Sequence, residues 1–491
     1  MRVLLTTAED IHVFAKGSAK AYPKLGLLSL VAHARQNVVG QERITFRYHD
    51  MLLESLALED IQRIVLEFTP DVISISCLSY SQAAFHAVAK AVKAVRPETL
   101  VIGGGPYVSS LRVQVLEDPN VDIVVFDEGE LTFTELLQRL LDGRDYTDVA
   151  GIAFRAGADI RVTPARDLIE NLDDLPIPAF DLVDFNAYAE RNPHLDSGGR
   201  FVPIVTSRGC PFKCVYCHAL HGKRTRYRSA EHVMAELTHL YDNHGVRLFY
   251  VYDDIFNLDR ARAKAICRGI IERKMDIGID FLNGLRADQM DHELIDLMIE
   301  AGTCYFAYAV ETATPRLQKL IKKNNRMDRL QDAIDYTVRQ GEGRCVVATY
   351  NMIGFPTETE EEVYNTIRFN TELPHHIADV AIAIPQENTE MYDMAIKIGF
   401  KQPEKRTPNY GRDVMMSASE KISPDRLSQL LYEFKRCFFD EKRRASLQGL
   451  SELSGPRSQQ KFLGAFVRGY LRLSKEFLGD TNATLYAGMS A

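Results

Sequence analysis

The sequence predicts an α/β protein: a doubly wound parallel sheet first, a second strand–helix array next, and a helical tail last. Three observations carry this expectation. Short apolar runs alternate with helical patterns along most of the 491 residues, the rhythm of parallel sheets. A charged, proline-punctuated phrase at 168–180 interrupts that rhythm. From about residue 417 the apolar residues recur only at helical spacing, as on an amphipathic helix.

The first array has apolar runs at 2–5, 44–48, 71–76, 100–102 and 123–126, with helical patterns at 26–36, 81–95 and 131–141. In a doubly wound sheet, ligands sit beyond the carboxyl ends of the strands. Polar and glycine-rich residues fall at those ends: 76–79, Gly103-Gly104-Gly105-Pro106 and Asp127-Glu128-Gly129-Glu130. Three consecutive glycines let a backbone approach a flat, bulky ligand without Cβ interference. Asp173-Asp174-Leu175-Pro176-Ile177-Pro178 then stiffens the chain and stops helices. The expected boundaries are a first domain at 1–145, a connector at 146–195, a second domain at 196–405 and a helical region at 406–491.

The second array opens with a strand at 201–206. Arg208-Gly209-Cys210-Pro211-Phe212-Lys213-Cys214-Val215-Tyr216-Cys217 follows. Three thiolates in C-x3-C-x2-C spacing can hold three irons of a four-iron cluster and leave the fourth open, whereas a closed cluster takes four cysteines. Zinc is the competing reading, with His218 or His221 as a fourth ligand. Cys77, Cys267, Cys304, Cys345 and Cys437 are isolated and read as small hydrophobes. Further strands are expected at 248–252, 279–283, 304–310, 346–353 and 380–384. Asp254, Arg286, Glu311 and Gly354 stand at the ends of four of these. A guanidinium there can pair with a carboxylate, although Arg286 could equally pair with Asp288 or Glu311. In the tail, Leu427, Leu430, Leu431, Phe434 and Phe438 form a stripe after an N-cap at Ser423-Pro424.

Composition narrows the function classes. Hydrophobic content of 46% supports ordinary cores. A net charge of −8 without a basic block gives no support to nucleic-acid binding. The basic stretch 221–229 runs into a helix start capped by Ser229 and reads as structural. No segment reads as a secretory leader or a membrane span. Eight unevenly spaced cysteines do not form a disulfide framework, so the expected compartment is the cytoplasm.

The cysteine segment resembles the cluster loop of the radical S-adenosylmethionine (SAM) enzymes. That resemblance implies a [4Fe-4S] cluster on Cys210, Cys214 and Cys217. It implies SAM bound through the open iron, and one-electron cleavage to a 5′-deoxyadenosyl radical. It implies a partial six-stranded TIM-like βα barrel, with Tyr216 by the adenine and SAM contacts from Asp254, Arg286, Glu311 and Gly354. The first array resembles the Rossmann-like cobalamin (B12)-binding domain that precedes many radical SAM domains. The matching phrases are Pro23-Lys24-Leu25-Gly26-Leu27 and Gly104-Gly105-Pro106. The Gly-Glu-Gly-Glu turn matches in part, because Asp127 replaces its first glycine. The D-x-H-x-x-G motif is absent, since Met51-Leu52 follow Asp50. The resemblance implies cobalamin contacts from Ser79, Gly103, Gly104, Gly105, Glu128, Gly129 and Glu130.

The expected function is therefore methylation of an unactivated carbon, or of phosphorus, in a small molecule. The expected electron donor is a flavodoxin or ferredoxin. Cyclisation, ring contraction and other oxidative rearrangement use the same cofactors and stay open. A methylthiotransferase would need three more cysteines in the first domain, where only Cys77 stands. A non-catalytic cofactor carrier is the last alternative. No general acid or base is assigned.

Overall fold

The computed structural model describes residues 1–9, 21–191, 199–218, 221–401, 417–452 and 457–478. The chain divides into two compact units, Met1–Asn192 and Pro193–Ala491.

In the first unit, five strands run parallel: β1 (Arg2–Thr7), β2 (Thr45–His49), β3 (Val72–Ser76), β4 (Leu100–Gly104) and β5 (Ile123–Val125). Their order is β2-β1-β3-β4-β5, which reverses between β1 and β3. The winding on both faces follows from strand alternation. Leu4, Ile73, Ile75, Val101 and Val124 pack with helices Leu58–Phe68 and Gln82–Val95. Val3, Leu5, Val72, Ile102 and Ile123 pack with helices Leu25–Asn37 and Glu130–Leu141. A strand covered on both faces reads as a continuous apolar run, which is why β1 and β3 are legible in the sequence.

Residues 146–195, expected as a connector, carry more structure than their composition suggests. β6 (Ile152–Ala156) and β7 (Asp159–Val162) form an antiparallel hairpin that extends the sheet beyond β5. Ile152 and Phe154 are buried by it. Helix Phe185–Arg191 is fastened by the Tyr188 hydroxyl, which donates to Asp50 Oδ2 at 2.7 Å.

The second unit holds six parallel strands: β8 (Arg200–Ile204), β11 (Val246–Val251), β12 (Gly278–Asp280), β13 (Thr303–Glu311), β14 (Val346–Ile353) and β15 (Ile377–Ile382). They lie in chain order, from β8 at one edge to β15 at the other. Helices intervene, so the strand ends where loops can carry chemistry share one edge. A short ribbon, β9 (Ser207–Arg208) with β10 (Arg226–Tyr227), leaves the sheet just after β8.

Among the described residues three tail helices, Pro424–Phe438, Glu441–Ser451 and Ser458–Leu478, complete this unit. Pro424–Phe438 buries Leu427, Leu430, Leu431, Phe434 and Phe438 against Ile353, Val363, Ile367 and Ile382. Ser458–Leu478 reaches the amino ends of β12 and β13. Gln459 Nε2 donates to Thr303 O at 3.0 Å, Ser458 Oγ to Asp276 Oδ2 at 3.0 Å, and Phe466 meets the Tyr305 ring at 4.9 Å. The predicted helical region 406–491 is seen only in part, since 402–416, 453–456 and 479–491 lie outside the described residues. Among the described residues no helix is long and apolar enough to cross a membrane.

Candidate functional site

The cysteine loop hangs between β9 and β10. Its entry is fixed from below by Asp253, whose buried carboxylate accepts from Thr206 N at 2.6 Å and from the hydroxyls of Thr206 (2.5 Å) and Ser207 (2.6 Å). Asp254 Oδ2 accepts from Gly209 N at 2.8 Å. Asp254 thus braces the loop and leaves its other oxygen on an exposed side chain. Gly209 has φ +89°, and a Cβ there would run into the Arg224 carbonyl oxygen. Arg228 Nη1 donates to Val205 O at 2.9 Å and pairs with Glu236, so the basic stretch holds the loop's exit. Ala at 209 should therefore cost most of the iron retained after anaerobic reconstitution, because the strain and the clash act together. Iron and sulfide assay against wild type checks this.

Within the loop, Cys217 N donates to Cys214 O at 3.2 Å, a tight turn that sets the two side chains together. Val215 is buried; its N–H donates to Ile321 O at 3.1 Å, and Met391 N donates to Val215 O at 2.9 Å. Cys210 and Cys214 are half-buried and Cys217 is exposed. Partial desolvation first, then Cys214 and more weakly Cys210, push the Cys217 thiol up to about 11. The three thiols therefore lie within one another's fields. His218, a candidate fourth ligand, is turned to Glu387 O, with its Nε2 at 2.8 Å. Among the described residues, no three His, Cys, Asp or Glu side chains gather as a single metal ion needs. The donor set is three cysteine sulfurs close enough to act on one another, one of them exposed, and that chemistry suits a cluster with three protein-held irons.

Beneath the loop lies a buried polar pair. Glu311 ends β13 with φ +65°, and the β13–β14 register shifts between Ala309 and Glu311. Bulges of this kind re-aim a side chain. Glu311 Oε1 accepts from Lys323 Nζ at 3.0 Å, and both side chains are 10% exposed. Burial foremost, then the charges of Glu311 and Cys214, push the Tyr216 phenol up. Tyr216 thus lies within the fields of both Cys214 and Glu311.

Arg286 is committed. It grips Asp288 with two nitrogens at 2.9 Å each and donates to Lys323 O at 3.1 Å. Its guanidinium also lies 3.8 Å from the centre of the Phe212 ring, within the cysteine loop. The ion-pair reading of Arg286 is the one its contacts follow.

Gly354 has φ +87°, and a Cβ there would lie 2.8 Å from Ser417 Oγ. Its N–H donates to Glu358 Oε2 at 2.6 Å, and Phe355 N donates to the same oxygen at 3.2 Å. Phe355 faces Tyr216 at 6.4 Å. Burial pushes the Glu358 carboxyl from 4.5 up to about 8. A carboxyl raised on folding favours the folded state at low pH, and that advantage is lost as pH rises to the folded value. The thermal midpoint of wild type should therefore fall between pH 5 and 8 relative to Glu358→Gln, which carries no titrating carboxyl. Midpoints measured across that range check the sign.

In the first unit, the cobalamin candidates cluster at three adjacent strand ends. Ser79 opens a turn after β3. A Cβ at Gly103 would sit 2.8 Å from the Phe85 ring, and one at Gly105 (φ +87°) would strike Ser76 Oγ. A Cβ at Gly104 would meet nothing within 4 Å. Gly104 therefore faces open space at the edge where a flat ligand would lie, between two glycines required by packing. Glu128 is turned inward and accepts from Ile169 N at 2.9 Å. Gly129 packs near Leu30, and the Glu130 charge acts on His33. These three residues hold the turn together.

Sequence reasoning missed Lys323, Phe212 and Glu358. Lys323 gave no signal, because its partner is twelve residues away and aimed by a bulge. Asp288 was weighed only as a partner for Arg286.

Comparisons with known proteins agree with this geometry. Residues 204–369 match the family model "Radical SAM superfamily", and residues 12–137 match "B12 binding domain". The chain is 32% identical over 399 residues to the uncharacterized methyltransferase PH0819 of Pyrococcus horikoshii, covering 81% of this chain and 83% of that one. It is 29% identical to the cytidylyl-2-hydroxyethylphosphonate methyltransferase of Streptomyces wedmorensis, covering 71% of each. Anaerobic magnesium-protoporphyrin IX monomethyl ester cyclases also occur among its relatives, one at 27% identity over 68% of this chain. The fold is that of the radical SAM methyltransferase TsrM from Kitasatospora setae, solved with cobalamin and a [4Fe-4S] cluster. The TM-score is 0.67 at 16% identity, covering 96% of this chain and 99% of that one.

Proposed function

We infer the function from one premise: this chain belongs to the radical SAM superfamily and carries its cobalamin-binding domain. On that premise it is a cobalamin-dependent methyltransferase whose acceptor is an unactivated carbon, or phosphorus, of a small molecule. One observation carries the reading: a single chain holds both an open three-thiol loop and a glycine cradle at a sheet's carboxyl edge. The methyltransferases among its relatives support methyl transfer.

When bound, the cluster supplies the electron that splits SAM and cobalamin supplies a carrier for its methyl group. The residues hold and orient. Cys210, Cys214 and Cys217 would take three irons, with Asp254 and Gly209 fixing the loop's entry and Arg286 bracing it through Phe212. Glu311, held in place by Lys323, would accept hydrogen bonds from the ammonium or hydroxyl groups of SAM. Tyr216 and the Gly354–Phe355 backbone would flank its adenine. Gly104 would lie against the corrin, with Ser79 beside it. The exposed Cys217 edge offers an electron donor such as flavodoxin or ferredoxin a short path to the cluster.

The test is spectroscopic. Protein purified without oxygen and given hydroxocobalamin is expected to keep a cobalamin spectrum through desalting. Gly104→Val, which fills the cradle, is expected to lose it. A wild-type chain that emerges colourless would remove the first unit's proposed role. The cyclases among the relatives favour a second reading, oxidative cyclisation; label transfer from methyl-labelled SAM separates the two.

A further inference from the structure

At the carboxyl edge of the first sheet, one buried carboxylate is only half used. Ala8 N donates to Ser76 O at 3.0 Å, which ties the residue after β1 to the last residue of β3. Glu9 follows at once and is 7% exposed. It therefore tops the crevice where the strand order reverses, the position at which open α/β sheets bind ligands. Its Oε1 accepts from Lys24 Nζ at 2.7 Å. Its Oε2 is shut away from solvent and, among the described residues, meets no donor.

The surroundings explain the shortage. Asp50 is the second carboxylate in this pocket, and its needs are met. Oδ1 takes the N–H groups of Leu52 and Leu53 at 3.0 and 3.2 Å, and Oδ2 takes the Tyr188 hydroxyl at 2.7 Å. Among the described residues, Lys24 is the cation paired with Glu9, while the Asp50 charge opposes it; burial and Asp50 push the Glu9 carboxyl up against the pull of Lys24. The Glu9 charge also reaches Cys77, where it adds to burial in raising the thiol. Cys77 is the first residue after β3, and its carbonyl lies 3.3 Å from where a Gly105 Cβ would be. Glu9 thus shares one edge with the glycine cradle. A buried carboxylate oxygen without a donor is costly, and a ligand that brings a donor recovers that cost.

We propose that Glu9 is a ligand-recognition residue whose Oε2 accepts an N–H from a neutral primary amide of the molecule seated at this edge. The inference rests on the cobalamin reading, on which the donor is one of the amides around the corrin rim. Residue 9 precedes the stretch matched by the B12-binding model, which begins at residue 12. The carboxylate would repel the ligand's phosphate and favour its amide rim, so it also sets which edge of the corrin turns inward.

The experiment titrates the full chain with hydroxocobalamin and with its monocarboxylic acid derivatives, in each of which one amide has become a carboxylate. Wild type is expected to bind one of these acids at least ten-fold more weakly than the others, because that carboxylate would face Glu9. Glu9→Gln, whose amide can donate to a carboxylate, is expected to lose that discrimination and to bind hydroxocobalamin several-fold more weakly than wild type. If wild type binds all the acids alike, or Glu9→Gln keeps the discrimination, Glu9 is only the partner of Lys24 and the inference falls. If wild type binds no hydroxocobalamin, the cobalamin reading falls and takes this inference with it. The acid series on wild type stands even if the variant does not fold.

Discussion

Alanine at Cys214 is expected to abolish cluster retention and to bring 5′-deoxyadenosine formation down to background. Cys214 lies between the other two thiols in sequence, and the buried Val215 is pinned beside it. Two thiols cannot hold three irons, and the loop has no fourth sulfur in reach. Because the backbone of this turn is held by Ile321 and Met391 rather than by the sulfur, the variant should still fold. Iron content, sulfide content and the electron paramagnetic resonance signal after dithionite should vanish together, with the thermal midpoint of the apoprotein little changed. Cys437→Ala, an exposed cysteine remote in sequence from the loop, is the control and should keep all three signals.

Methionine at Lys323 is expected to produce the next largest effect. The substitution keeps the side chain's length and removes its charge, so Glu311 is left buried and unpaired. Removing one partner of a buried pair costs about 3–5 kcal/mol. That cost should appear as a drop of several degrees in the thermal midpoint of the apoprotein. The double variant Lys323→Met with Glu311→Gln should regain much of the stability, because no charge is stranded. It should not regain SAM binding, which on this account needs the carboxylate. A double variant that binds SAM like wild type would leave the pair a purely structural role. Isothermal titration under anaerobic conditions reads the binding, and thermal melts read the stability.

Sequence reasoning reached different depths in different places. Strands β1 and β3 to β5 were legible because burial on both faces turns them into plain apolar runs. The cysteine loop was legible because its ligands are close in sequence and their spacing is itself the chemistry. The hairpin β6–β7 was not, since β7 is exposed along its whole length and β6 is buried only over its first three residues, so no apolar run marks the pair. Charged residues at strand ends were found, and for Arg286 so was Asp288 as a possible partner, but the partners of Glu128 and Asp254 were not. Arg286 bonds Asp288 across a short turn, Glu128 bonds the backbone of residue 169, and Asp254 bonds Gly209. In each case the sequence supplies a polar group at the right edge, while tertiary packing decides whether it faces a ligand or the chain itself. Glu311 and Lys323 belong to the same class: the bulge that joins them leaves no mark on the pattern of residues.

The most direct measurement follows both halves of SAM in one reaction. Wild-type protein, reconstituted anaerobically with its cluster and hydroxocobalamin, is supplied with a strong reductant and methyl-labelled SAM. The account predicts two products: 5′-deoxyadenosine, which disappears in Cys214→Ala, and S-adenosylhomocysteine, which disappears when cobalamin is withheld. Formation of 5′-deoxyadenosine without any cobalamin-dependent S-adenosylhomocysteine would contradict methyl transfer and leave a radical SAM enzyme of another kind.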